Sequence, residues 1–145
     1  MSRSFAEWFQ RLAHAPGQSR TARTVEWFGW LLLVESPVML VAPRWAAGLL
    51  GLPDLGVPGV NYFRLVGLLV GGLGMLYVVS GRLNAEGFLF ASLLDRPLVP
   101  IVMAVLWSLG LIPGPLALAF SIEDTSSFLW TLLTWRAERR TAAAG

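Results

Sequence analysis

The chain has no cysteine, no lysine and only one histidine. The lack of cysteine excludes disulfides, thiolate chemistry, iron–sulfur clusters and Cys-ligated zinc within the chain. His14, in a polar stretch near the N-terminus, cannot by itself supply a bis-His haem or a His-rich metal site, and reads as a loop or interfacial histidine. Charge is also scarce: 14% of residues are charged, and the net charge is +2. The 11 basic residues are all arginine and gather toward the two ends, which suits anionic lipid headgroups. No basic face with interleaved aromatics lies outside the apolar runs, so nucleic acid is not an expected partner. No cofactor is expected either.

Apolar sequence fills the rest. The 145 residues are 55% hydrophobic, with a mean hydropathy of +0.62. A soluble domain this small cannot hide that much apolar surface, and the apolar residues fall in long runs, so the bilayer is the natural solvent. Four spans are expected: Val25–Ala42, Asn61–Ser80, Pro97–Ile112 with Phe88–Leu94 as an apolar lead-in, and Gly114–Trp135. Each is close to the ~20 residues needed to cross the hydrocarbon core. The expected fold class is all-α, an integral membrane four-helix bundle. Residues 1–24 form a cytoplasmic N-terminal segment, 25–135 the bundle and 136–145 a basic cytoplasmic tail.

Within the first segment, Phe5, Trp8, Phe9 and Leu12 recur at helical spacing opposite Glu7, Gln10 and Arg11, while Ser4 and Glu7 make a capping box. This predicts an amphipathic helix over Ser4–Ala13, stopped by Pro16 and Gly17, lying in the headgroup region. It is not read as a signal peptide, because the first long apolar run begins only near Val25 and has no small-residue cleavage site. Pro43–Val60 reads as a short interfacial helix and a turn, Ser80–Gly87 as a polar loop, and Ile112–Pro115 as a tight turn joining antiparallel helices.

Arginine placement predicts orientation. Arg3, Arg11, Arg20, Arg23, Arg82, Arg136, Arg139 and Arg140 fall on one side, with Arg96 expected to snorkel at its membrane edge. Arg44 falls on the other side, with Arg64 just inside the second span. The positive-inside rule then puts both termini in the cytoplasm. Trp27, Trp30, Trp130 and Trp135 belong to the cytoplasmic aromatic belt, and Trp45 and Tyr62 to the opposite one. In the second span Gly67 and Gly71 form GxxxG, a face for close packing within the bundle or, alternatively, for homodimerisation.

The fourth span carries Glu123 and Asp124 where charge is most expensive. At 100° per residue, Phe120, Glu123, Asp124, Ser127, Thr131 and Thr134 share roughly one 100° arc, a polar stripe expected to face the bundle interior. Glu35 and Glu123 lie at similar depths, ~10–13 Å below the extracytoplasmic interface. Arg64 is expected to reach one of these acids, and Asn61, Tyr62 and Tyr77 add hydrogen-bonding capacity. Pro37, beside Glu35, is expected to kink the first span and free the Leu33 carbonyl. The candidate polar network is therefore Glu35, Arg64, Glu123, Asp124, Ser127, Tyr77 and Asn61. It serves either as a register-fixing glue or as a site for a proton, a cation or an amphipathic ligand.

The stretch NYFRLVGLLVGGLGMLYVVSGR, then IVMAVLWSLGLIP, then Asp124 in the last helix resembles the DoxX-like and BphX-like group of small four-helix membrane proteins over about residues 25–135. The resemblance implies a multi-pass protein of a bacterial cytoplasmic membrane, from a group in which some members associate with quinone-linked or oxidative-stress systems. The reading drawn from the residues is a membrane protein with a carboxylate-lined interior. It binds a small amphipathic ligand or serves as accessory subunit of a membrane complex, with lipids, partner subunits or further copies of itself as neighbours. The alternative is an isomerase-like membrane enzyme in which paired carboxylates move a proton on a lipid-soluble substrate.

Overall fold

The structure is a computed structural model that describes residues 4–144. Arg3, one of the arginines assigned above to the cytoplasmic side, lies outside the described residues. Among the described residues the chain is entirely helical, with no strand. In chain order the helices are α1 Phe5–His14, α2 Arg20–Val41, α3 Pro43–Leu49, α4 Val57–Arg82, α5 Glu86–Asp95, α6 Leu98–Ser108 and α7 Gly114–Ala144.

Three stretches are long and apolar enough to cross a membrane: Arg20–Val41, Val57–Arg82 and the α5–α6 stretch Glu86–Ser108, of 22, 26 and 23 residues. α7 is longer, at 31 residues, but Glu123, Asp124 and the hydroxyl run beside them dilute its apolar character. It also continues past Trp135 without a break, so the basic residues 136–140 are helical.

The tightest packing is between α2 and α4, and glycine makes it so. A Cβ placed on Gly29 would lie 2.6 Å from the Val78 nitrogen and 2.7 Å from the Gly74 oxygen; one on Gly74 would lie 2.9 Å from the Gly29 oxygen. The two backbones therefore touch, and Gly67 and Gly71 extend the contact onto Met39 and Ser36. The GxxxG face is used inside the chain. Against this ridge pack Ala22, Val25, Phe28 and Leu32 of α2, with Tyr77 from α4 and Leu89 from α5. Pro37 sits inside α2, which runs on through it to Val41.

The start of α2, the α4–α5 turn and the C-terminal part of α7 meet at one end of the bundle. The Ser19 N–H donates to Asn84 Oδ1 (2.9 Å), and the Glu138 carboxylate accepts from the Arg20 N–H (2.6 Å) and from the Thr21 N–H and hydroxyl. Glu138 thus supplies the anion that the positive end of the α2 dipole favours. At the other end, Gly51 after α3 lies against Pro115 at the start of α7.

α1 carries the capping box read from Ser4 and Glu7, with each side chain bonded to the other's backbone N–H. None of its residues is buried, and Phe5, Trp8 and Phe9 are exposed. Arg82 ties it down, donating from Nη1 to the Leu12 carbonyl (2.9 Å) and from Nε to Glu26 Oε1 (2.7 Å). Glu26 also accepts from Gln18 Nε2 (2.6 Å) and Trp30 Nε1 (3.2 Å). Arg82→Ala is therefore expected to release α1 and strip Glu26 of its charged partner, at a cost of about 1.5–3 kcal/mol for the charged hydrogen bond. Limited proteolysis checks this: cleavage between residues 14 and 19 should speed up in the variant, with the remaining helices intact.

Candidate functional site

The α5–α6 stretch does not run straight. Pro97 has no N–H to give the Leu93 carbonyl and Pro100 none to give that of Arg96, so the helix breaks between Asp95 and Leu98. Arg96, at the break, bonds from its own N–H to the Ser92 carbonyl (3.3 Å), and its carbonyl accepts from Val99 (3.3 Å). The break turns the Arg96 side chain into the bundle. It is 1% exposed and among the largest fully buried side chains of the molecule.

This corrects the sequence reading. Arg96 does not snorkel at a membrane edge; it sits near the middle of a 23-residue apolar stretch and supplies the buried cation. Its guanidinium lies over the Phe28 ring, 4.2 Å from the centroid, and 5.1 Å from that of Tyr77. Nη1 donates to Thr131 Oγ1 (3.1 Å), which also accepts from the Thr24 hydroxyl (2.9 Å). Among the described residues Nε and Nη2 close no hydrogen bond of ordinary length, and the Tyr77 side chain is the guanidinium's other polar partner.

Arg64 does not occupy that role. It is exposed, and its Nε donates to the Leu40 carbonyl (3.2 Å), one of the free carbonyls at the C-terminal end of α2. Asn61 and Tyr62 are exposed as well. Of the candidate residues on α4, only Tyr77 turns inward, edge-on to Phe28 (5.0 Å) and Phe88 (4.9 Å). Glu26 and Arg82, which the sequence reading did not single out, form the ion pair among the described residues that closes within 4 Å.

The acids do come together, along the seam between α2 and α7. Asp124 is 8% exposed and lies within electrostatic reach of Arg96. Glu35 and Glu123 are partly buried, and each interacts with the other and with Asp124. Arg96 acts on Glu123 and Asp124.

Two apolar grooves open on this seam, and Glu123 borders both. One, of about 410 Å³, is walled by Trp27, Phe28 and Trp130, with Ser127 on its α7 side. The other, of about 260 Å³, holds Glu35 and Glu123 together and is walled by Trp45 of α3 and Phe120 of α7. The Glu123 Oε1 atom is buried and has no hydrogen-bond partner among the described residues. The polar stripe continues through Thr131 and Thr24 to Thr21 and Glu138. Thr134 stands apart, its hydroxyl bonded back to the Trp130 carbonyl.

A buried carboxyl oxygen without a donor is costly, and this one lies where the two grooves meet. Among the described residues no three acidic or imidazole groups converge to hold a metal ion. No protein-family model, curated protein or solved structure matches the chain.

Proposed function

We propose that the protein is a four-span membrane protein, with α7 as the fourth span, whose α2–α7 seam binds a small amphipathic ligand. The observation that carries this reading is the unpartnered Glu123 oxygen at the meeting of two apolar grooves. A groove of a few hundred Å³ with aromatic walls and a few converging polar groups is the usual form of a small-molecule site. Polar groups at membrane depth persist where they face the bundle interior or a ligand.

The polar stripe of α7 supports its place as a span, because it lies against α2 and leaves Leu118, Ile122 and Leu133 on the outside. Arg20, Arg23, Arg82, Arg136 and Arg139 belong to the end where α2 starts and α7 finishes, which supports the reading that this end lies in the cytoplasm of a bacterial cell. We place the chain with the DoxX-like and BphX-like membrane proteins on the strength of the resemblance in α4, α6 and Asp124.

A second reading, an accessory subunit, draws on α6. None of its residues is buried, and Ile101, Val105 and Trp107 are all exposed. Either lipid or a partner helix suits such a surface. The isomerase-like alternative draws on the contrast between Asp124, beside Arg96, and Glu123, with a bare oxygen. Two carboxylates in unlike surroundings are what proton exchange requires.

Purification in mild detergent followed by native mass spectrometry separates these readings. Ligand binding predicts a small molecule retained at one copy per chain and lost from Glu123→Gln, while the variant still elutes as a single species. A stoichiometric partner protein with no small molecule would replace the ligand reading with the accessory-subunit one.

A further inference from the structure

The chemistry of the ligand follows from where the charges of the seam are matched and where they are not. Three carboxylates, Glu35, Glu123 and Asp124, face one guanidinium. Among the described residues no other basic side chain interacts with them. Arg64, on the neighbouring α4, is spent on the Leu40 carbonyl, and Arg82 on Glu26. Arg96 acts on Asp124 and Glu123 through space and bonds to Thr131 instead of to either acid. Glu35 and Glu123, the two acids that line the smaller groove, form no ion pair with any basic side chain among the described residues.

That groove is a poor fit for a metal ion. Only the two carboxylates offer oxygens there, and its other walls are apolar or aromatic. Hard cations take six or more oxygen ligands, or keep several of their waters. An organic cation needs neither. Trp45 and Phe120 can accept its charge on their ring faces, as aromatic cages do for quaternary ammonium groups. The volume of about 260 Å³ admits a compact head with part of a chain, and the larger groove on the far side of Glu123, also aromatic-walled, takes apolar length.

We infer that the α2–α7 seam binds a lipophilic organic monocation, its ammonium group held between Glu35 and Glu123 and its apolar body lying along the flanking grooves. This rests on the ligand-binding reading above and adds the sign of the charge. Neutral and anionic amphiphiles of the same length lack the matching charge and bind less well.

The test uses the full chain in phosphatidylcholine nanodiscs, titrated with decyltrimethylammonium, decanol and decanoate by isothermal titration calorimetry against empty discs. The expected result is saturable binding of one decyltrimethylammonium per chain, at least ten-fold tighter than either of the others. Glu35→Gln and Glu123→Gln should each weaken the cation at least ten-fold and leave decanol unchanged, with Glu123→Asp retaining most of the affinity. If the Gln variants fail to incorporate into discs, the three-ligand series on the unmodified protein still decides. Decanol or decanoate binding as tightly as the cation overturns the inference and leaves the amphiphile-binding reading standing. No binding of any of the three above empty discs overturns both.

Discussion

Gly29→Val yields no folded protein. A single methyl at this position meets the Val78 nitrogen at 2.6 Å and the Gly74 oxygen at 2.7 Å, so the clash is with backbone, which cannot rotate away. The helices would have to separate along their whole contact, because Gly74 and Gly81 hold the same close approach above and below. Overpacking a core costs about 1–3 kcal/mol when side chains give way. Here the expected loss exceeds that range, and in membranes, where close backbone packing is itself a main driving force, it removes the fold. Gly72 is the control. A Cβ there meets nothing within 4 Å, so Gly72→Ala should express and elute as the parent does. Detergent size-exclusion profiles of the two variants side by side make the comparison; a monodisperse Gly29→Val would mean that α2 and α4 do not touch as described.

Arg96→Met is the second large effect. It removes the cation that acts on Glu123 and Asp124 and loses the stacking on Phe28 and Tyr77. Arg96 closes no ion pair with Asp124, so the expected loss is that of its charged hydrogen bond to Thr131, about 1.5–3 kcal/mol, with the ring contacts in addition. Adding Asp124→Leu to the same chain should recover part of that loss, since it removes an acid whose charge Arg96 offsets. Arg64→Ala, by contrast, removes an exposed side chain that caps one carbonyl, and its expected cost is below about 1 kcal/mol. Thermal unfolding in detergent orders the three: Arg96→Met lowest, the double variant intermediate, Arg64→Ala near the parent.

These contrasts show what the sequence made legible. The capping box of Ser4 and Glu7, the α4 glycine face and the gathering of Glu35, Glu123 and Asp124 on one seam all follow from local periodicity, which the sequence states directly. Arg96 was misplaced because proline carries two meanings. Pro97 after an Asp-Arg pair reads as the start of a helix, where its missing N–H does no harm, and equally as a break within one. The second proline, Pro100, and the 23 apolar-rich residues that begin at Glu86 and enclose Arg96 were the signal for the second meaning. Arg64 was misassigned for a different reason. Its length allows it to reach an acid or a helix end, and only the actual end of α2 at Val41 decides between them. Glu26 passed unremarked because its partner, Arg82, is 56 residues away in sequence, and no local pattern links the two.

The central claim is that α7 turns its acidic stripe onto α2. Because the chain has no native cysteine, paired cysteines can test this in native membranes without background. Thr24 and Thr131 have their hydroxyls 2.9 Å apart across the seam, whereas Leu129 is exposed on the outside of α7. Thr24→Cys with Thr131→Cys should form an intramolecular disulfide rapidly under mild oxidation, and Thr24→Cys with Leu129→Cys should not. Equal cross-linking of the two pairs, or cross-linking of the Leu129 pair alone, would place the stripe elsewhere and contradict the account.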